Sequence, residues 1–469
     1  MVSGKILTFA SCMDNAERLG VERISTLLLR LSLPSVLGML AITIYNVADT
    51  IFVGQTVGVG AIAGLSVTLP LMLMINNTFG QAVGLGGASI ISRALGARNR
   101  ELAELVLHNL VFMILCLNVL LFGLVIAFLP DLLRLFGADD SILPYSMEYA
   151  VWCLPGSFAM NIFFVFINVI RAEGNTKFAM WCQVLTAVIN LVLDPIFIFI
   201  FGWGVKGAAV ATSISQIVSA VLGLWYFRRS KKRVLSLSYR DCFRLPKPKV
   251  LGETLALGSA SFGRQLAHSS TSIVLNNVLG GVGGSMAIAA YGIINRLTMF
   301  VFMPIFGVNQ GFMPIAGYNY GAEKYGRVIG ALKVGIIFST VICIVGFVLF
   351  ELIPHQLLFM FSDDEELVEI GARGLRIFVL AIPVVGCQVI GSGLFQALGK
   401  AKPAFFLSIA RQMIFLIPLV ILLPRYCTAF WGDDAIWYAF PISDLLSTVI
   451  TILMSHGLVK SLIGKKKVV

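Results

Sequence analysis

The sequence has few charged side chains for its length. Only 13% of its 469 residues are Asp, Glu, Lys or Arg, whereas 58% are hydrophobic, and the mean hydropathy is +0.90. A soluble globular protein is about one-quarter charged. The composition therefore excludes an ordinary soluble protein and indicates a chain that lies largely within a membrane.

Groups that build metal centres or catalytic clusters are also scarce. The four histidines lie in different segments, and the eight cysteines are scattered without a C-x-x-C motif. The glycine-rich stretches at 83–89 and 281–284 lack the Lys-Ser/Thr of a phosphate-binding loop, so we interpret both as sites of close helix packing. An integral-membrane enzyme would need an interfacial cluster of His, Asp or nucleophiles. We therefore expect no enzymatic activity, no resident cofactor and no disulfide framework.

The apolar runs are long enough to cross a bilayer as helices, which takes roughly 20 residues each. Unbroken runs of this length fit helices rather than the alternating strands of a membrane barrel. The sequence predicts an all-α membrane protein with twelve transmembrane helices, at 31–54, 64–92, 103–130, 146–170, 178–201, 206–227, 251–280, 287–318, 328–354, 369–395, 404–424 and 436–460.

Lys and Arg are concentrated in the loops that follow even-numbered helices, above all in "RRSKKRVLSLSYRDCFRLPKPK" at 228–249. Loops after odd-numbered helices are short or acidic, as in "FSDDEE" at 361–366. By the positive-inside rule, we expect both termini in the cytoplasm and the protein in the plasma (inner) membrane. The net charge of +11 then reflects loops that face an anionic leaflet, not nucleic-acid binding. The first residues lack the long apolar core of a signal peptide.

A repeat of about 225 residues divides the chain. "LPDLLRLFGADD" at 129–140 pairs with "IPHQLLFMFSDD" at 353–364, and "RAEGNTK" at 171–177 pairs with "QALGKAK" at 396–402. Because each repeat contains six helices, an even number, the halves are predicted to be parallel six-helix repeats around a central cleft. The expected segments are a cytoplasmic N-terminal segment (1–30), an N-lobe (31–227), a basic linker (228–250), a C-lobe (251–460) and a basic tail (461–469).

Helix 5 carries a carboxylate and an amide one turn apart, Asp194 and Asn190. A charged group deep in a bilayer usually marks an ion or substrate pathway. Asp49 in helix 1 and Thr212 in helix 6 lie at a similar depth, roughly 8–10 Å from the outer helix ends. Tyr45 precedes Asp49 by four residues and so shares its helix face. These oxygen groups predict a cation site, either for Na⁺ or for a proton on a carboxylate.

Several phrases resemble the MATE (multidrug and toxic compound extrusion) transporters. They include "YNVADTIFVG" at 45–54, "INLVLDPIFIF" at 189–199 and "GAAVATSISQ" at 207–216. The resemblance covers essentially the whole chain and extends to the prokaryotic multidrug-efflux branch. It implies a cation-coupled antiporter with a proton or sodium site in the N-lobe. Tyr149 and Asn168 on helix 4 loosely match cavity positions of the family.

The C-lobe lacks these oxygen groups at the repeat-related positions. Asp49, Asn190, Asp194 and Thr212 correspond to Leu275, Phe415, Leu419 and Phe440. We therefore expect only the N-lobe to bind the coupling ion. The C-lobe spans instead carry Arg264, Gln265, Arg296, Arg411 and Asp444. Arg296 and Asp444 lie at similar depth and are expected to form an ion pair, or one of them contacts substrate. Gln265 lies near the place where many family members carry an acid that binds cations.

The sequence thus predicts an exporter that exchanges lipophilic, commonly cationic organic compounds for Na⁺ or H⁺ by alternating access. The alternative is a flippase for an anionic lipid-linked substrate, which a cluster of arginines in the cleft would favour. Met72, Met74, Met299 and Met303 would suit a promiscuous cavity, or they pack as ordinary core and lipid-facing residues. We expect a monomer whose partners are the small-molecule substrate and membrane lipid, with no nucleic acid.

Overall fold

The computed structural model describes residues 15–56, 59–138, 140, 142–238, 247–282, 284–426 and 432–466, and in these ranges the chain is helical and contains no strand. The long segments are α1 (Ile24–Thr56), α2 (Val59–Gly96), α3 (Arg100–Ala127), α4 (Leu143–Ala172), α5 (Thr176–Pro195, continued by a π-helix at Ile196–Ile200), α6 (Gly204–Arg229), α7 (Pro248–Val282), α8 (Gly284–Gly321), α9 (Tyr325–Leu352), α10 (Glu365–Val379 and Ile382–Ala397), α11 (Ala401–Ile409, a π-helix at Ala410–Leu416, and Ile417–Tyr426) and α12 (Ala439–Lys466). The shorter helices are Asn15–Leu19, Leu129–Leu135, Pro354–Phe359 and a 3₁₀ turn at Gly432–Ile436.

Each predicted span overlaps one long segment, so the predicted all-α fold is confirmed. Within the described residues, nine segments are long and apolar enough to cross a membrane, and the two parts of α10, which meet at a bend of 52°, make a tenth. The side chains of α2 are described only in part. Helix α7 carries Arg264, Gln265 and His268 near its centre, and these polar groups lower its hydropathy.

Polar side-chain caps begin two helices at one end of the bundle. Asn99 Oδ1 accepts a hydrogen bond from the Leu102 N–H (2.9 Å) at the start of α3, and Asn175 Oδ1 accepts one from the Phe178 N–H (3.3 Å) at the start of α5. Such caps satisfy N–H groups that have no partner within the helix. At this end α2, α4, α6, α8 and α10 finish. Because most of the Lys and Arg lie here, we call it the basic end.

The two halves of the chain repeat the same order of elements. A short helix follows α3 (Leu129–Leu135), and another follows α9 (Pro354–Phe359), as the sequence repeat requires. Helices α5 and α11 each contain a π-helical turn. The halves differ in that α10 is broken where α4 is continuous. The break lies just before Pro383, which has no N–H to donate to the helix. The chain is thus two six-helix lobes, as predicted.

The hydrophobic core is shared between the lobes at the basic end and divided at the opposite end. One cluster joins Ile91 of the N-lobe to Phe312 of the C-lobe. Farther from the basic end, one cluster around Ala150 consists of N-lobe residues and another around Leu275 consists of C-lobe residues. Among the described residues, the lobes therefore join at the basic end and keep separate cores at the other.

Helices α2 and α7 cross closely near the basic end. A Cβ atom at Gly86 would lie 2.3 Å from the carbonyl oxygen of Thr254, and one at Gly258 would lie 2.5 Å from a carbonyl oxygen of α2. An ion pair between Arg93 and Glu253, with 2.8 Å from Nη2 to Oε1, spans the same crossing. These contacts close the cleft at the basic end and confirm the predicted close packing of the glycine-rich stretch at 83–89.

The same prediction is wrong for the second glycine-rich stretch. A Cβ atom at Gly281 or at Gly284 would meet no atom within 4 Å, and Gly284 has a φ of +63°. Glycine adopts this left-handed conformation without steric cost. Gly281 and Gly284 therefore do not mediate helix packing, and Gly284 provides a left-handed backbone conformation at the start of α8.

Candidate functional site

Three of the predicted site residues form one buried polar cluster in the N-lobe. Asn190 and Asp194 are fully buried on α5 and face Thr212 on α6. The Asn190 amide nitrogen donates to Asp194 Oδ1 (3.1 Å) and also lies 3.3 Å from Thr212 Oγ1. The four-residue spacing on α5 places both α5 side chains on the helix face that packs against α6. The structure thus brings together the carboxylate, amide and hydroxyl groups that the sequence predicted.

The backbone of α5 changes at this cluster. Pro195 directly follows Asp194, and the chain continues as a π-helix at Ile196–Ile200. Proline has no N–H, so the Leu191 carbonyl oxygen cannot receive the usual helical hydrogen bond from residue 195. Single π-helical turns are frequent at functional sites. The irregular backbone therefore adds acceptor capacity beside a buried carboxylate.

The cluster offers oxygen atoms that can accept a cation or a proton. Asn190 uses its amide nitrogen for the contacts to Asp194 and Thr212, while its Oδ1 has no hydrogen-bond partner among the described residues. An unpaired buried amide oxygen costs free energy, about 1–3 kcal/mol. Na⁺ prefers such hard oxygen ligands, and a protonated Asp194 could donate to one. The donor set therefore fits either coupling ion.

Two predicted members of the cluster cannot be placed. Tyr45 and Asp49 lie in α1, but their side chains are outside the part of the chain that the structure describes. Helix α1 does pack against α5. Their membership in the cation site stays a prediction.

Two further predicted residues, Tyr149 and Asn168, are buried elsewhere on α4. Tyr149 is 2% exposed in the apolar N-lobe cluster far from the basic end. Asn168 lies about 28 Å along the helix from it, at 1.5 Å per residue. Asn168 Nδ2 donates to Gln81 Oε1 (3.1 Å) and to the Phe164 carbonyl oxygen (2.8 Å). Among the described residues, these contacts tie α4 to α2 and do not connect Asn168 with the Asn190 cluster.

The predicted ion pair between Arg296 and Asp444 is wrong. Asp444 is 1% exposed and binds Arg411 instead, with 2.5 Å from Nε to Oδ1 and 3.3 Å from Nη2 to Oδ2. The Arg411 guanidinium also stacks on the Phe302 ring at 5.0 Å. Arg411 lies in the π-helix of α11, which packs against α12 and turns this side chain toward Asp444. Arg296 is exposed. Its similar depth along its helix therefore did not place it next to Asp444.

A cavity of about 410 Å³ lies within the C-lobe, between α7, α8, α10 and α11. This volume is in the range of sites that bind small molecules. It is lined by Arg264, Gln265, His268, Met299, Phe306, Asn309, Gln388, Val389, Ser392, Gly393, Gln396, Leu407, Ser408, Arg411 and Gln412. Within the part of the chain that the structure describes, the lining contains no Asp or Glu, and it includes Gln265 as the sequence predicted. Arg296 is not part of it.

The polar groups of this cavity can bind both hydrogen-bond donors and hydrogen-bond acceptors of a ligand. Three buried amide oxygens, from Asn309, Gln388 and Gln412, have no hydrogen-bond partner among the described residues. They can accept from a ligand N–H or O–H. Arg264 makes only a 3.5 Å contact to Ser261 Oγ and no ion pair within the described part of the chain, so it can donate to a ligand oxygen.

Of the four repeat-related positions of the C-lobe, two are buried apolar core, whereas Phe415 and Leu419 are partly exposed. Leu275 is fully buried and Phe440 is 4% exposed in the same cluster. The Phe440 ring lies 4.4 Å from the Phe378 ring and 5.9 Å from the Tyr291 ring. The space that holds Thr212 in the N-lobe is thus occupied by stacked aromatic rings in the C-lobe. That only the N-lobe binds the coupling ion stays a prediction.

Sequence reasoning missed the burial of Arg171. It assigned this residue to a basic loop, but Arg171 is 3% exposed, and its Nη2 donates to Gln183 Oε1 (3.0 Å) on α5. The residue lies in the last turn of α4, where the lobes meet. The sequence gave no signal of this burial, because it depends on tertiary packing of the following turn, where Gly174 lies against the Asn15 backbone.

The four methionines singled out in the sequence differ in whether they line a cavity or pack as ordinary core and surface residues. Met299 lines the C-lobe cavity, and Met303 Sδ accepts a hydrogen bond from Thr43 Oγ1 (2.9 Å) across the lobes. Met72 is buried in the N-lobe core, whereas Met74 is partly exposed. Only Met299 therefore lies in a described cavity that could hold a ligand.

The comparisons with known proteins agree with this architecture. The sequence model of the MatE family matches residues 34–196 and 260–422, one match in each lobe. "Multidrug export protein MepA" of Staphylococcus saprophyticus subsp. saprophyticus is 29% identical over 431 residues, which are 92% of this chain and 93% of the relative.

Solved structures extend the likeness to three dimensions. A MATE transporter in the bent conformation matches with a TM-score of 0.90 and 25% identity, over 96% of this chain and 99% of that one. A MOP-superfamily transporter from Pyrococcus furiosus, for which a reverse polarity of the binding pocket suggests a different function, matches with a TM-score of 0.87 and 26% identity, over 95% and 98%. The repeated lobes, the buried polar clusters and the two family matches together show that the chain belongs to the MatE (MATE) family of multi-pass membrane transporters.

Proposed function

We propose that the protein exports lipophilic, commonly cationic compounds across the plasma membrane in exchange for Na⁺ or H⁺, by alternating access of its two lobes. The observation that carries this proposal is the buried cluster of Asn190, Asp194 and Thr212. The multidrug export protein of S. saprophyticus, to which the chain is similar, supports the direction of transport.

The charge of Asp194 supplies the coupling. A carboxylate without a bound cation is costly to enclose in a lipid-facing bundle, whereas Na⁺ or a proton neutralises it. Closing the lobes around this site therefore favours the ion-bound state. Because Asn190 and Thr212 present further oxygens to the same ion, their loss should weaken its binding without removing the charge.

The C-lobe cavity supports recognition of the exported compound. Its volume of about 410 Å³ suits a drug-sized molecule. The amide oxygens of Asn309, Gln388 and Gln412 are placed to accept hydrogen bonds from N–H groups of such a compound. An N–H group on an organic cation would satisfy these oxygens with a charge-assisted bond.

The charge distribution supports an orientation with both termini in the cytoplasm. Lys and Arg are concentrated at the basic end, which the positive-inside rule assigns to the cytoplasm. The shared core at the basic end and the separate cores at the other end then correspond to a cleft that opens toward the outside.

A transport assay tests the proposal directly. Proteoliposomes carrying the protein would be loaded with a fluorescent organic cation, and Na⁺ and pH gradients would be imposed separately. We expect efflux under one gradient, and its loss in Asp194→Asn, while the exposed Asp131→Asn retains it. An efflux rate that depends on neither gradient, or a wild-type efflux rate in Asp194→Asn, would refute the coupling.

A second candidate function is transport of an anionic lipid-linked substrate. Arg264 favours it, since this arginine lines the C-lobe cavity and has no acidic partner among the described residues. The similarity to the P. furiosus transporter is consistent with it. Arg264→Gln separates the candidates: efflux of an organic cation should persist or rise, whereas transport of an anionic substrate should be lost.

A further inference from the structure

A second large cavity, of about 790 Å³, lies at the basic end, outside the sites described above. It is enclosed by the N-terminal helix Asn15–Leu19, the starts of α1 and α5, and the segment at 231–233 that follows α6. All of these elements lie where the bundle would meet the membrane surface.

The cavity is strongly basic. Its lining includes six cationic side chains, from Arg18, Arg30, Lys177, Lys231, Lys232 and Arg233. Among the described residues, the single acid in the lining is Glu22, whose Oε1 lies 3.1 Å from Arg30 Nη1 and 3.9 Å from Arg18 Nε. Lys177, Lys231 and Lys232 make no ion pair with any residue that the structure describes. Their charges add a positive potential that an anion would neutralise.

A buried hydroxyl group points to a ligand within this basic surface. Thr176 lines the cavity and is 1% exposed, yet its Oγ1 has no hydrogen-bond partner among the described residues. Thr176 is also the first residue of α5, whose opening N–H groups have no partner within the helix. The start of a helix of this length favours a phosphate oxygen through its N–H groups and its dipole.

The surroundings indicate that the anion belongs to a lipid. Trp181 lines the cavity one turn further along α5 and is 63% exposed, and Leu29 and Leu33 on α1 are 55% and 59% exposed. Tryptophan is enriched at the membrane–water interface, where one part of the ring is apolar and another polar. The basic cavity is therefore continuous with a helix surface that acyl chains would cover.

We propose that this cavity binds the phosphate headgroup of an anionic phospholipid from the leaflet at the basic end. The Thr176 hydroxyl and the N–H groups of Thr176 and Lys177, which Asn175 does not cap, hold the phosphate, and Lys177, Lys231 and Lys232 neutralise its charge. The acyl chains lie along α1 and α5 beside Trp181. Basic pockets between helices on the cytoplasmic side are the expected places for such headgroups.

Binding at this place would also stabilise the closed basic end. The N-terminal segment that forms one wall of the cavity is held by the C-lobe, since the Leu19 carbonyl oxygen accepts from Asn319 Nδ2 (2.8 Å) and the Gly20 carbonyl oxygen accepts from Lys324 Nζ (3.0 Å). A lipid that fixes this segment in place should raise the thermal unfolding temperature of the whole protein.

The test measures lipid binding to the purified full-length protein in neutral detergent, by native mass spectrometry and by thermal unfolding. The probes are phosphatidylglycerol, phosphatidylcholine and soluble glycerol phosphate. The triple variant Lys177→Gln, Lys231→Gln, Lys232→Gln is compared with a matched triple variant at the same end, Lys400→Gln, Lys402→Gln, Lys460→Gln, whose lysines are also exposed. Thr176→Val removes the buried hydroxyl without changing charge or shape.

We expect wild type to retain phosphatidylglycerol in preference to phosphatidylcholine, with a higher unfolding temperature. The cavity triple variant should bind phosphatidylglycerol about 100-fold more weakly, at about 1 kcal/mol per lysine, and Thr176→Val about 10-fold more weakly. The matched triple variant should bind as wild type. Equal weakening in both triple variants, or full binding by Thr176→Val, would reject a defined site in favour of diffuse surface attraction. An equal effect of glycerol phosphate would reject a lipid as the ligand.

Discussion

Gly96 of α2 and Gly321 of α8 each contact the backbone of the opposite lobe. A Cβ atom at Gly96 would lie 1.9 Å from the Tyr318 carbonyl oxygen, and one at Gly321 would lie 2.0 Å from the Arg93 carbonyl oxygen. The four residues are related in pairs by the repeat of about 225 residues. Helices α2 and α8 therefore cross at the basic end in a two-fold symmetric way, which is the arrangement expected of parallel repeats.

This close crossing leads to a prediction about the state in which the lobes are closed at the basic end. Gly96→Ala and Gly321→Ala should each force the lobes apart at the basic end, because the clashing atom is backbone oxygen and cannot rotate away. We expect each variant to lose about 1–3 kcal/mol of stability, as overpacked sites do. Thermal unfolding in detergent measures the loss.

Gly252→Ala is the matched control, since an added Cβ there meets no atom within 4 Å. It should be neutral or slightly stabilising, because alanine favours helix over glycine. Wild-type stability in both Gly96→Ala and Gly321→Ala would show that the lobes do not close as tightly as described.

The helices and their repeat could be predicted from sequence because long apolar runs have few alternatives in a membrane. The side-chain cluster of Asn190 and Asp194 was predictable for a similar reason, since a four-residue spacing fixes a shared helix face. Thr212 was predicted as a member of the cluster only from its depth along helix 6. The depth argument succeeded there because α5 and α6 are consecutive helices that pack against each other.

The same depth argument failed for Asp444. It compared positions along regular helices, whereas α11 contains a π-helix at Ala410–Leu416 that changes the direction of its side chains. Depth also carries no information on which side of a helix faces a neighbour, so the exposed Arg296 seemed equivalent to the partly buried Arg411. Irregular turns are set by tertiary packing and have weak signals in a single sequence.

The orientation of the bundle gives a second prediction. In a variant without the eight native cysteines, a cysteine at Asp363 should react with an impermeant thiol reagent added to intact cells, and one at Lys402 should not. Both positions are exposed and lie at opposite ends of the bundle, so exposure is matched. The reverse labelling pattern would invert the assigned orientation.

The N-lobe cluster gives a third prediction. Asn190→Ala and Thr212→Ala should raise the cation concentration required for half-maximal export by about 5- to 150-fold, which corresponds to about 1–3 kcal/mol for a lost buried partner. Asn190→Ala should have the larger effect, because its side chain contacts both Asp194 and Thr212. Initial export rates at varied Na⁺ concentration and pH provide the measurement.

Thr186→Ala is the control for this pair. Its hydroxyl group is buried between the same two helices and bonds Ser219 of α6, two turns from Asp194. Its loss should lower stability and leave the cation dependence unchanged. A shift in cation dependence equal to that of Thr212→Ala would mean that helix packing, and not ion ligation, explains the effect.

The pair of Arg411 and Asp444 gives the last prediction, which separates a structural role from a transport role. Removing Arg411 leaves the buried Asp444 carboxylate uncompensated, so Arg411→Met should cost about 3–5 kcal/mol of stability. Asp444→Leu should cost less, because the Arg411 side chain that it leaves unpaired is only partly buried. The double variant should cost much less than the sum, since no unpaired charge remains. Thermal unfolding of the four proteins gives the coupling free energy, and Arg296→Met, at an exposed position, should have little effect.

Additive losses would show that the two residues are not coupled. Full stability but no export in Asp444→Asn would instead place this acid in the transport site, because the loss of a purely structural buried acid should destabilise the fold.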